Sequence, residues 1–221
     1  MRQRISVLIR YLLMFLLLAP TGLPVLAQGT IVRMETSLGN IDVELFNDSA
    51  PRTVTNFMNY VNDGDYSNSF IHRSVPGFII QGGGFKFEND GVSKITTDPP
   101  VVNEFGHSNI RGIIAMAKLD GNPDSATSEW FFNLADNSAN LDKQNGGFTV
   151  FGQVIGNGMD VVDAIAALPV WNAGGAFTDL PLIDYSGTGN IQENNLVMVY
   201  RIVTISSAST KAMPWLPLLL E

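Results

Sequence analysis

The chain contains no cysteine. That absence excludes disulfides, thiol nucleophiles and cysteine-ligated metals. Histidine is almost as scarce, with only His72 and His107. A zinc site would have to be completed by carboxylates, and no HExxH-like spacing is present, so a catalytic metal is not expected. Charge is sparse and lopsided: 15% of residues are charged, with 13 Lys and Arg against 21 Asp and Glu. Three of the arginines, Arg2, Arg4 and Arg10, sit in the first 27 residues, and without that segment the formal charge moves from -8 to -11. A surface this acidic repels phosphate backbones, which disfavours nucleic-acid binding. The apolar run "YLLMFLLLA" is shorter than the roughly 20 residues that span a bilayer.

What is present is enough for a packed domain. The chain has 221 residues, 45% of them apolar, which fits one domain with extensions and excludes disorder throughout. The basic start, the short apolar run, the breaks at Pro20, Gly22 and Pro24, and "VLA" at Val25 to Ala27 lay out a secretory signal peptide cleaved after Ala27. The domain proper is expected over 28–206, in a protein that is exported and periplasmic or secreted. The tail 207–221, with "KAMPWLPLLLE", is apolar, broken by proline and too short to cross a membrane. It reads either as a segment packed on the domain or as a tag for a membrane or a partner.

Ile41, Val43 and Leu45 alternate with Asp42 and Glu44, the period of a half-buried strand, after a turn at Leu38-Gly39-Asn40. Pro51 suits the first turn of a helix. Val54, Phe57, Met58 and Val61 share one helical face, and Gly64 supplies the stop. "RGIIAMA", "EWFFNLA", "FTVFGQVI" and Val197–Ile205 read as strands. Val161, Val162, Ile165 and Leu168 mark a second helix within 159–168. "DGVSKITTDPPVVNEF" and the glycine-rich stretch 172–190 read as loops. Many short strands with two helices predict a mainly β fold, a closed antiparallel barrel that removes its exposed edges.

Chemistry concentrates in "FIHRSVPGFIIQGGGF". Its glycines lack the Walker lysine spacing, G-x-G-x-x-G and a G-x-S-x-G elbow, so a phosphate or oxyanion loop is rejected. Joined to "APRTVTNFMNYVNDGDY" upstream and to "RGIIAMAKLDGNPDSATSEWFFNLADNSANLDKQNGGFTVFGQVIGNGMDVVDAI" downstream, it resembles the cyclophilins, the peptidyl-prolyl cis–trans isomerases, over most of Ile31 to Leu168. The resemblance implies an eight-stranded barrel capped by two helices, with a proline-binding groove on its outer face. It also implies rotation about X–Pro bonds without cofactor or covalent intermediate, on proline-containing peptides and unfolded exported proteins. A monomer is expected.

Carried over residue by residue, the resemblance makes Arg73 the electrostatic catalyst and Gln81 the polar group that orders the arginine or the substrate backbone. Phe78 and Ile79 become pocket walls, Phe131 the pocket floor and Leu141 a further wall. Ala117 and Lys118 match the segment whose backbone pairs with the peptide. Arg73 and Phe78 can share a face only if the chain bends at Pro76-Gly77, because strict alternation keeps residues five apart on opposite faces. His72 is read as structural, since bond rotation needs no proton transfer, and His107 as a surface or loop residue.

Four positions depart from the family pattern. Ile79 stands where methionine is usual, Glu129 where glutamine is common, Phe148 where histidine often occurs, and Asn140 where an aromatic is expected. A carboxylate at Glu129 either draws Arg73 from the substrate or holds it in place. Ile79, Glu129 and Asn140 favour the alternative, a proline-peptide binding or chaperone module with weak or no turnover.

Overall fold

The structure is a computed structural model that describes residues 29–205. The stretches read as a signal peptide and as an apolar tail lie outside the described residues. The chain opens with a hairpin, β1 (Ile31–Thr36) and β2 (Gly39–Leu45). Val32 and Met34 of β1 and Ile41, Val43 and Leu45 of β2 are buried on one face, as their alternation dictates. Helix α1 (Pro51–Asp63) follows. It buries Val54, Phe57, Tyr60 and Val61 against the sheet and stops at Gly64, whose φ of 75° is the left-handed conformation glycine adopts most readily. Its N-cap, Ala50, has no side chain that can accept a hydrogen bond. Glu104 takes that part from far along the chain, accepting from Arg52 N–H at 3.2 Å and Thr53 N–H at 2.8 Å.

Then come β3 (Ser69–Phe70), β4 (Arg73–Val75), β5 (Ile79–Gly82), β6 (Phe85–Glu88), β7 (Gly91–Lys94), β8 (Ile113–Met116) and β9 (Trp130–Asn133). The one-turn helix α2 (Ser138–Leu141), β10 (Val150–Ile155), α3 (Gly158–Ala166), β11 (Val170–Trp171), β12 (Leu180–Pro181) and β13 (Met198–Ile205) complete the order.

Eleven strands form one antiparallel sheet in the order β4-β5-β9-β8-β10-β2-β1-β13-β3-β6-β7. β3 and β4 stand far apart in that order, yet only Ile71 and His72 separate them in the chain. Gly83 and Gly84 link β5 to β6 across the same gap. Segments two residues apart must be close in space, so the sheet curls until its ends approach.

The expected closed ring of eight strands is therefore replaced by an open hydrogen-bond ladder of eleven. The stretch 69–75 breaks at Ile71–His72 and gives one short strand to each end. The β6–β7 hairpin lengthens the ladder further, with β7 lying in a stretch expected to be loop. Three α-helices, not two, occur among the described residues. The supposed loop 172–190 contains β12, which pairs with β11.

The main core lies inside the curl, where Ile80, Ile114, Met116, Trp130, Phe132 and Phe151 meet α1 and α3. Trp130 packs on the glycine run: a Cβ on Gly83 would stand 2.7 Å from its Nε1 and 2.5 Å from the Ser128 carbonyl. Gly83 also has a φ of +78°. The glycines thus admit the indole as well as turning the chain.

Candidate active site

The central strands are buried on both faces, and alternation assigns their residues to two separate clusters. Ile80, Ile114 and Phe132 point into the main core. Ile79, Ile113, Ala115 and Phe131 point outward and join Leu141 and Val150 in a second cluster, edged by the half-buried Phe78, Ala117 and Phe148. Register explains how distant residues meet there. Arg73 pairs with Gln81, Gln81 with Phe131, Phe131 with Ala115 and Ala115 with Val150. One row across the outer face therefore runs from a cation through an amide into an apolar patch. Such a patch with a few convergent polar groups is the usual form of a ligand site.

The bend required at Pro76-Gly77 is present. Phe78 N–H donates to the Val75 carbonyl at 2.9 Å, and Gly77 takes a φ of +74°. This three-residue turn returns the chain so that Arg73 and Phe78 flank the same patch.

The walls are tied together from beneath by asparagines that the sequence did not single out. Asn137 Nδ2 donates to the Phe78 carbonyl at 2.9 Å and to Asn133 Oδ1 at 2.7 Å. Asn109 Nδ2 donates to the Phe148 carbonyl at 3.1 Å and to Asp142 Oδ1 at 3.0 Å. Phe148 N–H donates to the Leu141 carbonyl at 3.0 Å. Asn109, Asn133 and Asn137 are all buried, and buried amides are expected to find partners. Only the strand periodicity of "WFFN" hinted that Asn133 faces this side.

Lys118 does more than present its backbone. Its Nζ donates to the carbonyls of Asn145 and Gly147 at 2.7 and 2.6 Å and stands 4.9 Å from the centre of the Phe148 ring. Burial holds its pKa below the ordinary lysine value, against the raising effect of Asp124. Ala117 N–H is taken by the Glu129 carbonyl at 2.9 Å.

Glu129 is not paired with Arg73. It accepts from Gln81 Nε2 at 2.7 Å and stands 3.4 Å from Nε2 of the buried His72. Burial alone would raise its pKa; the His72 hydrogen bond and charge, then Gln81, outweigh that and hold the carboxyl below its ordinary value. A cavity of about 220 Å³ opens beside it, lined by Gln81, Ala117, Lys118, Ser125, Thr127 and Glu129. The nearest acidic partner of Arg73 is instead Asp179, with Nε to Oδ2 at 3.5 Å. Asp179 lies in the stretch read as loop and was missed for that reason. Asn140 is exposed and lies outside the apolar cluster, whereas His107 is exposed with its ring 5.2 Å from Phe46.

A family model described as cyclophilin type peptidyl-prolyl cis-trans isomerase/CLD matches residues 31–184. The chain is 46% identical over 144 residues to a peptidyl-prolyl cis-trans isomerase of Acinetobacter baylyi, covering 64% of this chain and 74% of that protein. It is 44% identical to peptidyl-prolyl cis-trans isomerase A of Dickeya dadantii, covering 66% of this chain and 76% of that protein. To peptidyl-prolyl cis-trans isomerase B of Escherichia coli it is 39% identical, covering 65% and 88%. In fold it is similar to a Cryptosporidium parvum cyclophilin type isomerase solved in the presence of the dipeptide Ala-Pro. That similarity has a TM-score of 0.59 and 24% identity and covers 80% of this chain and 99% of that one.

Proposed function

Because the chain belongs to the cyclophilin-type family and is a peptidyl-prolyl cis–trans isomerase, we propose that Arg73 is its electrostatic catalyst and that the outer apolar cluster holds the proline ring. Rotation about a peptide bond must break amide resonance, at a barrier of about 18–20 kcal/mol. A catalyst lowers that barrier by binding the twisted amide better than either planar form. Twisting leaves the prolyl nitrogen pyramidal and basic. A fixed cation donating to that nitrogen or to the neighbouring carbonyl therefore acts only in the twisted state. Arg73 suits this because its guanidinium stays charged and presents several donors in a rigid plane.

The observation that carries the reading is the register row Arg73–Gln81–Phe131–Ala115, which sets the cation at the margin of the apolar patch. Phe131 forms the floor, with Phe78, Ile79, Leu141 and Phe148 as walls. The ring is gripped while the preceding carbonyl swings past Arg73. Gln81, held by Glu129, and the backbone at Ala117–Lys118 orient the peptide. The Ala-Pro dipeptide present with the Cryptosporidium protein is a ligand of the kind this cluster fits.

In the same reading, residues 1–27 are a cleaved signal peptide and 28–206 the isomerase domain, a bacterial exported type. It works as a monomer on X–Pro bonds of unfolded exported proteins in the periplasm or outside the cell. The tail 207–221 is a candidate for association with a membrane or a partner. The basic start, the short apolar run and "VLA" before Gln28 support export.

The test is exchange NMR on an Ala-Pro peptide with the chain from Gln28 onward beside its Arg73→Ala variant. We expect a loss of about 100-fold or more, the scale of removing a transition-state donor; equal rates would sink the mechanism. N-terminal sequencing of protein recovered from the cell envelope tests cleavage, with Gln28 as the expected first residue.

A further inference from the structure

We propose that Asp179, carried by the 172–190 segment, is a positioning residue for the reaction: it takes the Nε side of the Arg73 guanidinium and turns the terminal nitrogens toward the prolyl amide. This rests on the assignment of Arg73 as the catalyst. Gln81, the group expected to order the arginine, is engaged elsewhere, donating its Nε2 to Glu129 at 2.7 Å. Among the described residues the Arg73 side chain donates no hydrogen bond, and its ion pair is with Asp179 Oδ2, approached by Nε at 3.5 Å. Engagement at Nε leaves both terminal nitrogens to the substrate.

Asp179 is itself held firmly. Its carbonyl accepts Ser74 N–H at 2.7 Å, on the residue next to Arg73, and its carboxylate accepts from Thr178 Oγ1 at 3.1 Å. The segment carrying it is anchored by a small core of its own, where Leu180 and Leu182 pack with Phe70, Phe85, Leu196 and Met198. Phe177 stacks edge-on against Phe85 at 4.8 Å. The segment is thus fixed to β4 through Ser74 and to β3, β6 and β13 through its core. Arg73 and Asp179 side chains remain about one-third to two-fifths exposed, so the pair contributes little to stability. Its effect lies in orientation, where small angular errors at a reacting group are costly.

Asp179→Asn tests this, because it keeps the shape and the backbone bond to Ser74 while removing the charge. Exchange NMR should show kcat falling about fivefold with KM within about twofold, as for an interaction made only in the transition state. The thermal midpoint should stay where it was, and Asp179→Glu should recover part of the rate. The Arg73 Nε–H resonance should shift in Asp179→Asn in the absence of substrate. Wild-type kcat in Asp179→Asn, or an unmoved Arg73 signal, overturns the proposal while an inactive Arg73→Ala leaves the catalyst assignment standing. Full activity in Arg73→Ala would remove both.

Discussion

Gln81 Nε2 donates to Glu129 Oε2 at 2.7 Å, so the Glu129 carboxylate restrains an amide and not Arg73, the proposed catalyst. Glu129→Gln keeps an acceptor for that bond and removes a negative charge near the site. We expect kcat/KM equal to or above wild type in a coupled or NMR exchange assay. A loss of tenfold or more would show that the charge itself is required.

The same carboxylate should make stability depend on pH. Its pKa is depressed in the fold, so its contribution is fully present above the unfolded value, about 4.3 for glutamate. It is lost as pH falls from there through the lower folded value. Urea midpoints of wild type and Glu129→Gln should therefore differ at neutral pH, with wild type higher, and converge below that window. A constant offset down to pH 2.5 would refute the linkage.

Gly83→Ala should destabilise the fold by about 2–4 kcal/mol, because strain at a left-handed backbone adds to a steric conflict. The new Cβ would sit 2.5 Å from the Ser128 carbonyl at a φ of +78°. Denaturant unfolding monitored by tryptophan fluorescence reads this directly. A wild-type midpoint would show that Trp130 can move aside.

Lys118→Met removes the two carbonyl contacts to Asn145 and Gly147 and the contact with the Phe148 ring. The loop carrying Phe148 should loosen, raising KM for an X–Pro peptide about three- to tenfold, a fraction of the ~1.5–3 kcal/mol that a hydrogen bond to a charged group contributes. kcat should change far less. An unchanged KM would mean that the asparagine network alone holds that wall.

Asn137→Ala strips one donor from the Phe78 carbonyl and from Asn133, leaving buried acceptors without it. The expected cost is about 1–3 kcal/mol in stability, with weaker peptide binding measured by titration. Binding equal to wild type would dissociate the Phe78 turn from pocket shape.

Much of this was legible in the sequence because it is written in local patterns. The α1 face from Val54 to Val61 and its stop at Gly64 follow from helical period and glycine chemistry, and the structure reproduces both. The strands around Ile114, Phe132 and Phe151 announced themselves by β-branched and aromatic content. The pattern failed where a decision depends on a distant partner. β7 and β12 are short and rich in turn residues, and they are strands only because a neighbour supplies hydrogen bonds. Sheet closure was misjudged because periodicity does not report that the chain breaks at Ile71–His72.

The sequence by itself determined which chemistry is possible: one arginine beside apolar walls, no thiol, and no metal-ligand spacing. Local side-chain types and spacings are sufficient for that. The tertiary structure alone decided who holds whom. Glu129 meets Gln81 across 48 residues, and Asp179, just before β12, meets Arg73 of β4. Such pairs depend on register and curl, which arise from packing the whole sheet around its core and leave no trace in the spacing along the chain.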